Sequence, residues 1–253
     1  MRQETYDILN VGKHNRFFIR GAGGDPICVH NCGYGMSANT FKLRMELTGN
    51  HEAAGMSDTL VTAFRHKNYK IPMFWNRCNE VLEIMLAGGS IRFGGPNDDL
   101  FYADGSTEFF GVRIPTIQLP NGQYIFYQNL RKEVGDNGRM QFVYDQFKGS
   151  QSVPTRVWGS IIDENLSQAL SFVVLKWQAI EIAKRGVPIS LNVHDEWVSV
   201  VPRSMAAYAV KVHHDCMKAT PPYIPDGLLD CEVDVGINYA DLHTIDVAKA
   251  LGG

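Results

Sequence analysis

The most regular pattern in this chain is a long helix with a broad apolar face, followed at once by two apolar strands. The helix is predicted from Glu164 to Arg185, and Gly186-Val187-Pro188 ends it. The strands are predicted at residues 189–193 and 197–201. A helix beside an antiparallel hairpin favours the α+β class. The apolar face of the helix comprises Leu166, Leu170, Val173, Val174, Trp177, Ile180 and Ile182.

The turn between the two strands carries three titratable residues, His194, Asp195 and Glu196. Charges between the strands of a buried sheet are costly to hold unless they meet a cation. Carboxylate oxygens are the ligands that hard divalent cations prefer, so Asp195 and Glu196 suggest a metal site. An exposed acidic hairpin turn explains the same pattern, and both interpretations remain open at this point.

The rest of the chain after residue 32 predicts three further helices and one clear hairpin. A helix is predicted at residues 37–47 with Phe41 and Met45 on its apolar stripe. Ser57-Asp58 predicts the N-cap of a second helix, and Ile71-Pro72 interrupts it before a third, residues 75–86. The third helix is expected to bury Cys78, Val81, Leu82 and Met85, and residues 117–127 form a hairpin around Pro120-Asn121-Gly122.

A possible site of chain cleavage lies at Val29-His30-Asn31-Cys32. The side-chain amide of Asn31 can attack its own backbone carbonyl and close a succinimide, which breaks the chain after Asn31. His30 can protonate the departing amide nitrogen, and Cys32 supplies a thiolate nucleophile. A chance tetrapeptide containing a buried structural thiol is the alternative.

The stretch upstream of this site resembles the C-terminal half of an intein. Tyr6-Asp7-x-x-x-Val11 followed by His14-Asn15-x-Phe17 is similar to the next-to-last intein block, and residues 28–31 are similar to the last. The resemblance implies that Asn31 cyclises, that His30 and His14 assist, that Asp7 orients the site, and that Cys32 is the first extein residue. The turn-rich segment at residues 21–26 is longer than most such segments and is expected to project as a loop.

Residues 1–31 are therefore expected to be a short β-rich C-intein segment. The start of an intein, with its own nucleophile, does not precede these blocks here. The resemblance thus implies a split intein whose N-terminal part is carried by a separate polypeptide. Alone, a segment this short cannot bury a core.

Composition excludes several classes of protein. The 253 residues are 45% hydrophobic and 20% charged, and no run is apolar enough to span a membrane. Arg2 and Glu4 give the N-terminus no signal-peptide character, which predicts a cytoplasmic protein. The five cysteines form no C-x-x-C pair, and a net charge of −3 gives no global signature of nucleic-acid binding.

Residues 32–253 resemble the C-terminal portion of a family A DNA polymerase of the phage type. The most specific match is Val193-His194-Asp195-Glu196, preceded by Glu164-Asn165-x-x-Gln168-Ala169. Tyr34-Gly35 is similar to the pair that closes the nucleotide-contacting fingers helix, and Arg65 begins a match to the following fingers helices. The resemblance implies a helical fingers portion at residues 32–155 and a palm portion with antiparallel strands at residues 156–253. Further matches are Leu119-Pro120-Asn121-Gly122-Gln123 with the family's hairpin and residues 228–239 with its closing palm strand.

The family's residue roles carry over to matching positions only. They imply that Asp195 and Glu196 bind catalytic Mg²⁺ and that His194 lies near the primer terminus. Gln168 would contact the minor groove of the primer-template duplex, and the remaining nucleotide or DNA contacts would be Tyr34, Gly35 and Arg65. The sequence departs from the family at Ser171-Phe172, where Arg-Asp is usual, and at Gln123, where Arg is usual.

A two-metal mechanism needs at least two carboxylate-bearing segments, and this chain offers one. The resemblance implies that the second aspartate, and the basic residues that grip the deoxynucleoside triphosphate, lie on the partner polypeptide with the N-intein. The expected protein is thus a DNA polymerase of a phage-infected bacterial cytoplasm, active only with that partner. The alternatives are a metal-dependent nuclease or phosphatase using Asp195, Glu196 and residues 213–215, and a non-catalytic DNA-binding subunit.

Overall fold

The computed structural model describes residues 17–19, 27–29, 35–135, 138–224, 229–238 and 240–245. Within these residues lie six α-helices, and each strand pair of known register is antiparallel. The predicted α+β class is confirmed. No helix in these ranges combines the length and the apolar character needed to cross a membrane.

The helices are α1 (Ala38–Leu47), α2 (His51–Gly55), α3 (Ser57–Lys67), α4 (Lys70–Leu86), α5 (Gly159–Lys184) and α6 (Ala206–Lys218), with a 3₁₀ turn at Arg203–Met205. The strands are β1 (Phe17–Ile19), β2 (Ile27–Val29), β3 (Ser90–Phe93), β4 (Phe101–Asp104), β5 (Glu108–Phe109), β6 (Val112–Arg113), β7 (Thr116–Gln118), β8 (Tyr124–Phe126), β9 (Arg131–Val134), β10 (Met140–Lys148), β11 (Gln151–Val157), β12 (Leu191–Val193), β13 (Glu196–Val198), β14 (Asp234–Gly236) and β15 (Leu242–Thr244).

The strands of the described residues form small sheets. The largest has four strands in the order β3-β4-β7-β8, and a three-stranded sheet has the order β11-β10-β9. The pairs β1-β2, β5-β6, β12-β13 and β14-β15 stand as two-stranded sheets. The chain divides into two compact units, the first made of residues 1–117 and 126–165 and the second of residues 118–125 and 166–253.

The first helix of the first unit, α1, is the one that the sequence predicts at residues 37–47. Ser37 is its N-cap, and the Ser37 hydroxyl accepts a hydrogen bond of 3.1 Å from the amide of Thr40. Phe41 is buried with Val61 of α3, and Met45 packs against the two. The predicted apolar stripe on α1 is therefore confirmed.

Two predicted helix boundaries are wrong. Ser57 is not an N-cap, because it is the first residue of α3. Met56 occupies the N-cap position, and no side chain makes a capping hydrogen bond there. Pro72 does not interrupt a helix, because it lies in the first turn of α4, where a missing N–H costs nothing. The break between the two helices falls at Asn68 and Tyr69 instead.

Helix α4 supplies much of the core of the first unit. Cys78, Val81, Leu82 and Met85 have no exposed surface, as the sequence predicts. Aromatic contacts join α4 to β3 and β4 in a single stack. In that stack the ring centroids of Phe74 and Phe93 lie 6.2 Å apart, and those of Phe93 and Phe101 lie 5.5 Å apart.

Helix α5 begins at Gly159, earlier than the predicted start at Glu164. Its first turn is fixed by α4: the amide of Gly159 donates to Asn79 Oδ1 at 2.7 Å, and the indole of Trp75 donates to Asp163 Oδ2 at 2.9 Å. A Cβ at position 159 would lie 1.9 Å from the backbone carbonyl oxygen of Trp75, so only glycine fits. The start of α5 thus depends on contacts with residues 80 or more positions away, which local periodicity does not contain.

The core of the second unit lies between α5 and α6. Ile182, Val187, Ala209, Val212 and Cys216 are buried together. Gln178, 2% exposed, donates from Nε2 to the carbonyl oxygen of Met217 at 2.7 Å and so satisfies the end of α6. Of the predicted apolar face of α5, Leu166, Val173 and Ile182 are buried, whereas Ile180 is 53% exposed.

The close approach at Gly159 gives a stability prediction. Gly159→Ala should lower the free energy of unfolding by about 2 kcal/mol, because the added methyl group meets backbone rather than a flexible side chain. Gly55→Ala is the matched control: nothing lies within 4 Å of a Cβ at this helical position. The control should leave stability unchanged or raise it by up to about 1 kcal/mol. Urea unfolding measures both variants, and equal stabilities for the two would contradict the packing of α5 on α4.

Candidate functional site

The charged residues of the candidate site lie on the hairpin formed by β12 and β13. The strands are antiparallel, with Val193 opposite Glu196, so the turn consists of His194 and Asp195 alone. The prediction of a three-residue turn is therefore wrong at Glu196, which already belongs to β13. The side chains of His194, Asp195 and Glu196 are exposed.

The turn is braced from within the hairpin. The side-chain amide of Asn192 donates to the carbonyl oxygens of His194 and Glu196, at 3.1 Å each. His194 has a φ of +54°, a left-handed conformation that glycine adopts freely and other residues adopt at a cost. Residues held in such conformations cluster at functional sites. Sequence reasoning missed Asn192, although it directly precedes the Val-His-Asp-Glu motif.

Two side chains attach the hairpin to the helices of the second unit. One is Trp197 on β13, and the other is Ser199, the residue directly after β13. The indole of Trp197 packs against the α5–α6 core and donates to the carbonyl oxygen of Leu175 at 3.1 Å. Ser199 Oγ lies 2.7 Å from Nε2 of His213 on α6. Burial lowers the pKa of His213 below its ordinary value, so the ring is neutral at pH 7. Neither contact is visible in the sequence, because each joins residues 14 or 22 positions apart on different elements.

Gln168, the predicted minor-groove contact, lies on α5 and is exposed. It belongs to the same unit as the β12–β13 hairpin. Asn165 of the same sequence motif lies in the first unit, where its side-chain amide donates to the buried hydroxyl of Tyr127 at 3.2 Å. Part of this motif therefore serves the fold.

Gly35 and Arg65, predicted to contact nucleotide or DNA, lie in the first unit. Gly35 has a φ of +81°, and a Cβ there would lie 2.2 Å from the hydroxyl oxygen of Ser160. Arg65 donates from Nη2 to the carbonyl oxygen of Met36 at 3.2 Å, and its guanidinium lies 5.6 Å from the ring centroid of Trp75. Both residues thus pack the start of α1 against the rest of the unit.

Several predicted site residues lie outside the described residues. These are His14, His30, Asn31 and Cys32 of the predicted splicing site and Tyr34 of the predicted nucleotide-contacting pair. The strands on the intein side are described: Phe17 pairs with Val29 and Ile19 with Ile27 in an antiparallel register. These two strands fit the β-rich character expected of residues 1–31.

The hairpin that resembles the family's Leu-Pro-Ser-Gly-Arg element is formed as predicted. The amide of Leu119 donates to the carbonyl oxygen of Gln123 at 2.7 Å, and Gly122 has a φ of +86°. Gln123 is exposed at this turn. An exposed amide stands at the position where the family carries a cation.

The ligand chemistry of the hairpin turn suits a magnesium ion only in part. Asp195 and Glu196 offer the oxygen donors that Mg²⁺ prefers. In the ranges that the structure describes, no three His, Cys, Asp or Glu side chains are grouped so as to hold a metal ion. His213 of the alternative nuclease cluster bonds Ser199, and His214 lies 3.6 Å from a carboxylate oxygen of Asp215, its neighbour on α6. Asp195 in the turn and Glu196 at the start of β13 therefore offer two carboxylates, and among the described residues they belong to no group of three such side chains.

No protein-family model matches the chain, and no curated protein or solved structure is significantly similar to it.

The backbone at His194 gives a prediction about strain. His194→Gly should leave the free energy of unfolding unchanged or raise it by up to about 1 kcal/mol, because glycine adopts the left-handed conformation without cost. His194→Val should lower it by about 1–2 kcal/mol, because a β-branched residue resists a positive φ. Urea unfolding measures the free energy of unfolding of both variants. A His194→Gly variant less stable than the His194→Val variant would contradict the turn geometry.

Proposed function

We propose that the chain is the C-terminal fragment of a split family A DNA polymerase, joined to its N-terminal half by protein trans-splicing through residues 1–31. After splicing, the product transfers deoxynucleotides to a primer terminus under the direction of a template. The observation that carries the proposal is the exposed His194-Asp195 turn with Glu196 beside it, braced by Asn192 on a hairpin fixed to two helices. Exposed carboxylates on a braced turn suit the metal-dependent phosphoryl-transfer site that the proposal requires.

Asp195 and Glu196 are the residues that would hold Mg²⁺. When bound, the metal would stabilise the charge that develops on the attacking and leaving oxygens. Asp195 would supply oxygen donors from the turn and Glu196 from the start of β13, while His194 would contact the primer terminus. Gln168, exposed on α5, would contact the minor groove of the duplex.

The remaining half of the site is assigned to the separate polypeptide. Among the described residues, no three His, Cys, Asp or Glu side chains are grouped so as to hold a metal ion, and the proposal assigns the second aspartate to the partner polypeptide. Tyr34 and Gly35 would complete the nucleotide-contacting helix once the upstream part of that helix is joined. The partners are thus the N-terminal polymerase half with its N-intein, primer-template DNA and deoxynucleoside triphosphates.

Splicing is assigned to the sequence blocks around residues 14 and 28–32. The antiparallel pair of β1 and β2 supports it, since β2 ends at Val29, directly before His30. Asn31 would cyclise with help from His30 and His14, and the Cys32 thiol would accept the upstream acyl chain. Cyclisation of Asn31 would free the α-amine of Cys32. A shift of the acyl chain from the Cys32 sulfur to this amine would then restore the thiol and leave an ordinary peptide bond.

The first prediction for this function concerns the splicing site. On mixing with the N-terminal partner, the chain should lose residues 1–31 and gain the partner's extein at Cys32. Asn31→Ala should stop resolution of the branched intermediate, and Cys32→Ala should stop ligation while permitting cleavage after Asn31. Intact-mass spectrometry and denaturing gels measure these products.

Cys231→Ala is the matched control for the thiol, because this partly buried cysteine lies in the second unit and should not affect ligation. Undiminished ligation by the Cys32→Ala variant would reject the assignment of the splicing residues.

The second prediction concerns the metal-binding turn. Asp195→Asn in the spliced product should lower the rate of nucleotide incorporation at least about a thousandfold, or about 4 kcal/mol of transition-state stabilisation, because it removes a metal-binding charge. The fold should persist, because the side chain is exposed and its volume hardly changes. Single-turnover primer extension measures the rate. Asp99→Asn, at another exposed aspartate, should retain full activity, and near-normal extension by Asp195→Asn would remove Asp195 from the site.

A further inference from the structure

The β12–β13 hairpin depends on contacts outside itself for its orientation. Each strand has three residues, and the hairpin forms a two-stranded sheet among the described residues. A hairpin of this size is marginally stable on its own in water. What fixes its direction is therefore the set of contacts that β13 makes with α5 and α6.

The first of these contacts is made by Trp197, which combines apolar packing with one hydrogen bond. The ring of Trp197 lies against the α5–α6 core, while its N–H donates to the carbonyl oxygen of Leu175 inside α5. Trp197 therefore fixes one point on the hairpin. A single fixed point leaves the hairpin free to rotate about it.

The second contact lies two residues further along the chain. Ser199 Oγ and His213 Nε2 are 2.7 Å apart, and His213 projects from α6 rather than from α5. His213 follows the buried Val212 on α6 and is itself partly buried. Burial lowers the pKa of the ring, which keeps one nitrogen available as an acceptor and the other as a donor. This contact supplies the second point that stops rotation.

We propose that His213, through its hydrogen bond with Ser199, is a positioning residue that sets the location of the Asp195 and Glu196 carboxylates for nucleotidyl transfer. The inference rests on the proposed polymerase function. It assigns to the Ser199–His213 pair a role in the rate of the chemical step rather than in substrate binding.

The geometry explains why so distant a pair affects the turn. Ser199 lies four residues beyond Asp195, or about 13 Å along an extended strand. A small rotation at that end moves the carboxylates by roughly an ångström or more. Misplacement on the order of 1 Å can lower a catalytic rate by about a hundredfold.

The test uses the spliced product in single-turnover primer extension with Mg²⁺. Ser199→Ala and His213→Phe should each lower the maximal incorporation rate by about tenfold or more, with the apparent dissociation constants for deoxynucleotide and primer-template within about threefold of wild type. The double variant should be no slower than the slower single variant, because both changes remove the same hydrogen bond. His213→Gln keeps a polar atom for Ser199 and should recover most of the rate.

Tyr208→Phe is the control. It removes another hydroxyl hydrogen bond of α6, the 2.9 Å bond to the carbonyl oxygen of Arg185, without touching the hairpin. This variant should keep the wild-type rate. Thermal unfolding of each variant shows whether it is folded. If the His213→Phe variant does not fold, the Ser199→Ala variant alone tests the inference.

The outcomes separate the inference from the function on which it rests. Wild-type rates for Ser199→Ala would overturn the positioning role while leaving the polymerase function intact. Equal losses of incorporation rate in the His213→Gln and His213→Phe variants would show that the Ser199–His213 pair is merely structural. Losses that appear only as weaker substrate binding would show the same, and either result would overturn the positioning role. Absence of template-directed extension by the wild-type spliced product would overturn the polymerase function, and the inference with it.

Discussion

A charged turn can be held firmly only when the other side of its hairpin is buried and its carboxylates stay in water, since burying them unpaired would cost far more than packing provides. In this hairpin the indole of Trp197 packs against the helices, while the carboxylates stay exposed. Its ring adds to the apolar core between α5 and α6, and its N–H satisfies the carbonyl oxygen of Leu175. Asp195 and Glu196 remain exposed at the other end. The position of the candidate site depends on this attachment together with the contact between Ser199 and His213.

A second constraint acts in the first unit, at the beginning of α5. Gly159 lies so close to the carbonyl oxygen of Trp75 that a larger residue does not fit, and Asp163 in the same turn accepts from the Trp75 indole. Gly35 also closely approaches Ser160, the residue after Gly159, since a Cβ at position 35 would lie 2.2 Å from the Ser160 hydroxyl oxygen. Gly35, four residues after Asn31 in the sequence, is thus packed against the first turn of α5. In the proposed function, the chain presents a folded body to the residues that splicing joins to it.

The sequence predicted well those features that depend on neighbouring residues. The stripe of Phe41 and Met45, the inward face of α4 from Cys78 to Met85, and the hairpin around Gly122 are all formed, because periodicity and turn chemistry are local properties. The failures have tertiary causes. Ser57 has the right type for an N-cap but is buried as the first residue of α3, and α5 starts at Gly159 because Asn79 and Trp75 fix it there.

The candidate site shows the same division. The local pattern predicted a charged turn between two strands, which is formed at His194 and Asp195, but it left the exposure of the turn open. Ser199 and His213 carry no sequence signal of their contact, since 14 residues and a change of element separate them. Arg65 was expected to contact nucleotide or DNA, and its contacts with Met36 and Trp75 are of a kind that only the folded chain defines. The central claim, that the active site is divided between two polypeptides, is tested most directly by primer extension with the purified chain, with the chain plus its N-terminal partner, and with the Asn31→Ala chain plus the partner. The account predicts no template-directed extension by the chain alone and full extension after splicing; extension by the chain alone would contradict it.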